Sequence, residues 1–322
     1  MKEIELILKT IPKLNPGEKA IVATVVDVQG SAYRGEGAKM LIRANGDAVG
    51  TVSGGCLEAD VLERAKQVAD SGKAQVFTYD TTKNEDSVFS LNMGCRGVIR
   101  ILFEPLDHDY FDRLSRARGG RKRFVNKVVV EGDNIGARTY FGDGDHGDRS
   151  HADGDGFVEI IDPPPSLFIS GAGADAIPVC SIAKTLGWLV TVVDHRAAFA
   201  SGDRFPDADS VRVLHPDAYE GELHLDDHAV AVVMTHNYEK DKLIENFLLK
   251  TNAAYIGQLG PRKRTEKLLA EIGESWPSNL HAPVGLDIGS ESPEEIALAI
   301  VSEVLTVLRK REGGFLTSRG SK

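Results

Sequence analysis

Cysteine is scarce in this chain: three among 322 residues, at Cys56, Cys95 and Cys180. An odd count cannot pair completely, and no CxxC or companion histidine pair gives zinc spacing, so neither a disulfide scaffold nor a zinc ribbon is expected. Three thiols also cannot supply one four-cysteine iron–sulfur cluster. Long apolar runs are missing, and nothing approaches the ~20 residues of a membrane helix. The opening Met1-Lys2-Glu3-Ile4-Glu5 carries acids and lacks the apolar stretch of a signal peptide. Basic blocks are absent as well: the longest, Arg121-Lys122-Arg123, is short, and 38 Lys and Arg against 48 Asp and Glu leave a formal charge of −10. Nucleic acid and membrane surfaces are therefore poor partners. Together these absences predict a reducing, cytoplasmic setting with free thiols.

What is present is ordinary for a globular protein, 42% hydrophobic and 27% charged, and the length suits two domains. Pro163-Pro164-Pro165 reads as a stiff extended linker. It divides a domain over residues 1–162 from a second over 166–312, followed by a tail, 313–322. In the first domain, Ala20 to Val28 is a continuous β-branched strand. Met40 to Ala44 and Asp47 to Val52 flank Asn45-Gly46 as a hairpin. Leu57, Val61, Ala65 and Val68 then fall at helical spacing, with Gly72 placed to end that helix. Strands Ala74 to Tyr79 and Val98 to Phe103 follow, so this domain is α+β.

Residues 106–160 hold further strand-like pieces at Lys127 to Val130 and Ala137 to Phe141, with another from Phe157 to Ile161. Within this stretch, Gly142 to Asp148 with His151, Asp153 and Asp155 offers carboxylates that suit calcium, but the spacing is no EF-hand and a solvated loop is the favoured reading.

After the prolines the pattern changes to βαβ alternation. Strands are expected at Leu167 to Ser170, Leu189 to Asp194, Val211 to Leu214, Ala229 to Thr235 and Ala253 to Ile256, with a helix over Tyr238 to Lys250. Nearly all-apolar strands in this order predict an α/β, Rossmann-like, doubly wound parallel sheet. Ser292-Pro293-Glu294-Glu295 has the form of a capping box with proline at the first helical position.

The strand at Leu167 runs into Gly171-Ala172-Gly173-Ala174-Asp175-Ala176, a GxGxxA turn. The first glycine permits the tight turn, the second lets a phosphate approach the backbone, and the helix start presents free N–H groups. Asp194 ends the next strand, where a carboxylate can accept a ribose hydroxyl. A phosphate-bearing ligand near Gly171, Gly173 and Asp194 is the expectation. Thr235-His236-Asn237 should face the same crevice. His236 either touches ligand and moves a proton, or merely neighbours Asn237 as that residue caps the next helix. Gly257-Gln258-Leu259-Gly260 ends a further strand at this edge, and Arg262, Lys263 and Arg264 open the helix after it.

The first domain carries two glycine-flanked thiols. Ser53-Gly54-Gly55-Cys56 precedes a helix, where dipole and free N–H donors favour a thiolate. Met93-Gly94-Cys95-Arg96-Gly97 leads into a strand, and Cys95 reads equally as a reactive thiol or a small buried hydrophobe. Cys180 lies on the apolar face of the Rossmann helix and is expected to be core. The loop Gly30-Ser31-Ala32-Tyr33-Arg34-Gly35-Glu36-Gly37-Ala38-Lys39-Met40 combines three glycines, a hydroxyl and a guanidinium suited to an oxyanion.

Taken together, GSAYRGEGAKM, GTVSGGCLEADVLERA, MGCRG, ISGAGADAIP, VVMTHNYEKD, YIGQLGPRKRTEKL and APVGLDIGSESPEEIALAIVSEV resemble the XdhC/CoxI family over nearly the whole chain. Members assist maturation of xanthine dehydrogenase and related molybdenum hydroxylases. The resemblance implies binding of molybdopterin (molybdenum cofactor), with or without an added nucleotide. Related accessory proteins hold the cofactor while a cysteine desulfurase supplies its terminal sulfur, then pass it to a client molybdenum hydroxylase. Cys56 and Cys95 fall on the family's cysteine motifs, while Ala174 stands where the family often has histidine and Arg96 where it often has glycine.

The candidate cofactor-binding set is Ser31, Arg34, Gly54, Gly55, Cys56, Cys95, Gly171, Gly173, Asp194 and His236, with molybdenum contacted through Cys56. Cys56, Cys95 and His236 are the candidates for chemistry, and a homodimer is expected. A cofactor bringing phosphate, dithiolene sulfurs and an oxidised metal suits glycine-rich loops, helix starts and a thiolate. The competing reading is an NAD(P)-dependent oxidoreductase, drawn from the glycine turn and Asp194; a third is a regulatory nucleotide-binding module without chemistry.

Overall fold

The computed structural model describes residues 2–80, 97–141 and 156–318. The chain divides into two compact units, Met1–Pro163 and Pro164–Lys322.

The first unit opens with α1 (Lys2–Thr10), which buries Ile4 and Ile7 on one face. β1 (Ala20–Gly30), β2 (Lys39–Arg43) and β3 (Ala48–Gly50) follow. The β2–β3 turn uses Gly46 at φ +88°, a left-handed conformation that glycine adopts without a Cβ penalty. α2 (Glu58–Ser71) turns Val61, Ala65 and Val68 inward at helical spacing and stops at Gly72, φ +67°. β4 (Gln75–Asp80) and β5 (Gly97–Pro105) complete an antiparallel sheet of order β3-β2-β1-β5-β4.

One face of this sheet, with Ile21, Ala23, Val25, Ile101 and Phe103, packs with α2. Ala20, Val22 and Leu41 instead pack with α1 and with α3 (His108–Gly119). The alternation along β1 thus serves two cores, which is why it reads as a continuous apolar run. β6 (Phe124–Val129), β7 (Arg138–Phe141) and β8 (Gly156–Ile161) form a second antiparallel sheet, order β7-β6-β8. Helices α1 and α3 were not among the expected elements. The signal for α3 lay in Asp107, whose side chain accepts the Tyr110 N–H at 3.2 Å, followed by the buried trio Tyr110, Phe111 and Leu114. The stretch from Gly142 to Asp155, read above as a solvated loop, lies outside the described residues.

A buried polar network joins the elements of this unit. Lys39, 1% exposed, lies 2.8 Å from the Glu159 carboxylate and donates to Thr24 Oγ1 at 3.1 Å. Glu159 also accepts from the Tyr110 hydroxyl at 2.7 Å and from Asn126 Nδ2 at 3.0 Å. Arg138 donates to Asn126 Oδ1 at 2.8 Å and pairs with Glu104. Burial alone would raise both carboxyls. For Glu104 burial wins, whereas the Lys39 charge and the donors hold Glu159 below its ordinary value.

The second unit alternates strand and helix: β9 (Ser166–Ser170), α4 (Ala176–Thr185), β10 (Leu189–Asp194), β11 (Ser210–Val213), the short α5 (Tyr219–Glu222), β12 (Ala229–Val233), α6 (Tyr238–Leu248), β13 (Tyr255–Gln258), α7 (Arg262–Ile272), β14 (Leu280–His281) and α8 (Pro293–Leu308). All neighbouring strands are parallel, in the order β11-β10-β9-β12-β13-β14. The order reverses between β9 and β12, the topological switch point of a doubly wound sheet. Every residue of β12 is buried, as a strand covered on both faces requires. α5, α6 and α7 contribute to one core, with Tyr219, Ile244, Leu248 and Leu269, while α4 and α8 pack together. β12 ends at Val233 and α6 at Leu248, each two residues short of its sequence estimate. Among the described residues, no helix is long and apolar enough to cross a membrane.

The capping box of α8 forms: Ser292 Oγ accepts the Glu295 N–H at 3.3 Å and Glu295 Oε2 accepts the Ser292 N–H at 3.0 Å. Ser292→Ala removes one half of this exchange. It should cost about 1 kcal/mol, read as a lowered denaturation midpoint with unchanged transition slope.

Candidate functional site

Two places collect the residues singled out from the sequence, one in each unit. In the first unit, two glycine-rich loop segments and the start of β5 come to one end of the large sheet. β1 ends at Gly30 opposite Gly97, the first residue of β5. A Cβ on Gly97 would stand 2.7 Å from the carbonyl oxygens of both Gln29 and Ser31, so glycine is needed for the strands to approach. The next loop folds Tyr33 over the second segment. A Cβ on Gly54 would sit 3.0 Å from the Tyr33 ring, which nevertheless remains 70% exposed. One ring face therefore rests on the Ser53-Gly54-Gly55-Cys56 segment while the rest meets solvent.

The same segment is held from below by its own hydrogen bonds. Buried Ser53 accepts the N–H groups of Gly55 and Leu57 at 3.2 Å each through Oγ and donates to Glu58. Thr51 donates to the other Glu58 oxygen at 2.9 Å. Burial opposes the Glu58 charge, but these hydroxyl donors prevail and hold its carboxyl below the ordinary range. Gly55 takes φ +106° with open space where a Cβ would be. Cys56 follows it, exposed and free, one residue before the cap of α2. Cys180 contrasts on every count: it is buried in α4, and burial pushes its thiol up to about 11.

Ser31, Arg34, Gly54, Gly55 and Cys56 are thus brought to one end of one sheet. Arg34, however, is engaged with Glu3 of α1, so its guanidinium reaches that helix as well as the loop. Cys95 and Arg96 lie outside the described residues. Tyr33 stood in the loop motif without an assigned role; its packing against a glycine two residues before the thiol could not be read from spacing.

In the second unit, Gly171 and the β12 end meet at the switch point. Gly171 has φ +110°, and a Cβ there would lie 2.5 Å from the Met234 carbonyl oxygen. Gly173 leaves room of another kind, since its Cβ position is 2.5 Å from Asp175 Oδ1. The second oxygen of that carboxylate is 2.7 Å from His236 Nε2. His236 takes φ +56°, a left-handed strain that a non-glycine residue adopts where its surroundings impose it. Its ring stands 63% exposed at the crevice mouth. Asn237 does cap α6, accepting the Lys240 N–H at 3.1 Å. The cap at Asn237 is formed, and His236 stands beside Asp175 of the glycine turn.

Asp194 is 3% exposed and heavily engaged. It accepts the Ala172 N–H at 2.8 Å, the Arg196 N–H at 2.9 Å and the Arg196 guanidinium at 2.7 and 2.9 Å. Burial raises its pKa, but Arg196 and the two backbone donors outweigh it and bring the group to about 2. The carboxylate expected to accept a ribose hydroxyl here ties the glycine turn to the end of β10.

Two of the basic residues opening α7 are engaged within the protein. Arg264 reaches buried Asp241 at 2.6 Å, Arg262 reaches Glu266 at 2.9 Å, and Arg262 also stacks on Trp276. Among the described residues, no group of three or more His, Cys, Asp or Glu has the arrangement of a metal cage.

Comparison with known proteins gives the chain its relatives. The XdhC Rossmann domain matches residues 167–304, and the XdhC and CoxI family matches residues 14–80. A Bacillus subtilis protein described as a probable xanthine dehydrogenase subunit is 33% identical over 321 residues, covering 92% of this chain and 96% of that protein. A molybdenum cofactor insertion chaperone of Escherichia coli, PaoD, is 24% identical, covering 94% of this chain and 87% of the chaperone. A crystal structure described as a xanthine dehydrogenase from Bacillus halodurans superimposes with a TM-score of 0.85 at 30% identity, over 99% of this chain and 98% of that one. With motifs, two-unit architecture and similarity along the chain in agreement, the chain belongs to the XdhC/CoxI family.

Proposed function

We propose that this chain is an accessory protein that receives molybdenum cofactor, keeps it during sulfuration, and passes it to a xanthine dehydrogenase-type molybdenum hydroxylase. The observation that carries the reading is the exposed Cys56 thiol at the meeting of glycine-rich segments, beside a half-open Tyr33 ring. The cofactor is cargo here. Its metal already sits on dithiolene sulfurs and can take a further thiolate, and its tricyclic ring offers a flat face to an aromatic. Gly54 and Gly55 keep the approach clear of side chains. An exposed site also suits transfer, because cargo that must leave cannot be fully enclosed.

In this reading Cys56 touches or guards the metal, while Ser53 and Glu58 fix the segment that presents it. The partners are the client hydroxylase and a cysteine desulfurase, in the cytoplasm, with the chain working as a homodimer. The cofactor arrives with or without an added nucleotide. The alternative, an NAD(P)-dependent oxidoreductase, draws support from the strand order and glycine turn. It is weakened by an Asp194 already saturated by Arg196 and backbone donors.

Cys56→Ser keeps the size of the side chain but replaces an ionisable thiol by an alcohol that stays protonated. The variant should fold as wild type and lose at least tenfold in cofactor retained on purification, about 1.4 kcal/mol. Pterin fluorescence after oxidation and client activation would be measured side by side. Cys180→Ser is the control, acting through core stability alone. Cofactor retention and client activation equal to wild type in Cys56→Ser would remove the thiol from the mechanism.

A further inference from the structure

The glycine turn of the Rossmann unit already holds an anion. The Asp175 carboxylate lies over Gly173, at the start of α4, makes no cap hydrogen bond and is fixed by His236 at 2.7 Å. The positive end of the helix that would attract a phosphate is therefore partly satisfied from within. A phosphate brought to the same spot meets a like charge at close range.

Basic side chains gather elsewhere along the same sheet edge. His195 follows β10, His215 lies just past β11, and Lys240 sits in the first turn of α6. The two imidazoles meet edge to face at 6.1 Å between centroids, and Lys240 Nζ is 3.3 Å from His215 Nε2. The other His215 nitrogen faces Asp217 at 2.9 Å. With Lys240 donating to Nε2, the neutral ring carries its proton on Nδ1, toward Asp217. His195 Nδ1 faces Asp194 at 3.1 Å, a carboxylate whose charge Arg196 already offsets. Burial, then the Lys240 ammonium, hold His195 below the usual imidazole value. The acids near the group are Asp194 and Asp217, against Lys240, Arg196 and two imidazoles.

We infer that the second unit takes a phosphate group between His195, His215 and Lys240, at the ends of β10 and β11, and not at the Gly171–Gly173 turn. The ligand class is a phosphomonoester or the terminal phosphate of a nucleotide. Its oxygens take the Lys240 ammonium directly, with the two imidazoles flanking that contact. This site belongs to the other unit from the Cys56 cluster and stands or falls without it.

The test is calorimetric titration of the full-length protein with inorganic pyrophosphate at neutral pH, for wild type, Lys240→Ala, His215→Gln and Gly173→Val. Lys240 and His215 are at the surface, so their variants should fold. Lys240→Ala should weaken binding at least tenfold, His215→Gln should weaken it severalfold, and Gly173→Val should stay within twofold of wild type. No saturable binding to wild type at millimolar pyrophosphate overturns the inference. So does binding abolished by Gly173→Val and unchanged by Lys240→Ala, which would return the phosphate to the glycine turn. Neither outcome touches the cofactor reading, which is measured at Cys56.

Discussion

Glu245→Gln should make the protein more stable at pH 8 and leave it nearly unchanged at pH 5. Glu245 lies on the inner face of α6, fully buried, and neither carboxylate oxygen has a hydrogen-bond partner among the described residues. Burial first, and the nearby Asp241 charge second, push its carboxyl up to about 8. The sign follows from linkage: a group whose folded pKa exceeds its unfolded value contributes stability that is complete below the unfolded value. That stability is lost as pH rises through the folded one.

For Glu245 the window runs from 4.5 to about 8, which at ~1.4 kcal/mol per pH unit is on the order of 5 kcal/mol before structural relaxation reduces it. Glutamine keeps the shape and cannot ionise, so the variant's profile should be flatter across that window. The difference between variant and wild type removes the contribution of every other group. Urea unfolding at half-unit pH steps reads the effect. Parallel profiles for the two proteins would mean that Glu245 is ionised and solvated in the folded state.

Gly171→Ala should be strongly destabilising, costing more than about 3 kcal/mol or preventing folding. Two penalties coincide there. The backbone conformation, φ +110°, is one that side chains rarely adopt, and an added Cβ would overlap the Met234 carbonyl carbon at 2.7 Å and the Thr235 Cα at 2.8 Å. Those are backbone atoms of the β12 end, which cannot swing aside as a side chain can. Gly46→Ala separates the two causes: its φ is +88° with nothing near the Cβ position, so conformation alone acts and about 1 kcal/mol is expected. Thermal unfolding of both variants is the measurement. Equal losses at the two positions would show that the β9 and β12 loops part readily.

The strands of the second unit were legible because they are covered on both faces; Ala229 to Val233 is uniformly buried and uniformly apolar. The glycine turn was legible through its position between strand and helix. Asp175 was in plain sight inside that motif, yet only the fold reveals that its carboxylate occupies the gap over Gly173. His195, His215 and Lys240 sit after different strands and meet because parallel strands bring their carboxyl ends to one edge. In the first unit, apolar periodicity found α2 and missed α3, and it carried no information on the Lys39–Glu159 pair. Such a pair joins distant strands through charge, and charge in a strand ordinarily signals solvent. Cys56 stood out as glycine-flanked, but its exposure depends on Ser53 holding the segment from beneath.

The strand order has a consequence for biosynthesis. β9 lies at the middle of its sheet, with Ser166 paired to Leu189 on one side and to Ala229 on the other. On the ribosome, β9 and β10 can associate early, but the second edge of β9 waits until β12 has left the exit tunnel. During that interval an apolar strand edge stands unpaired, the kind of surface on which nascent chains aggregate. Slow, cool expression should therefore raise the soluble fraction, and stalling translation before Ala229 should leave a protease-sensitive nascent chain.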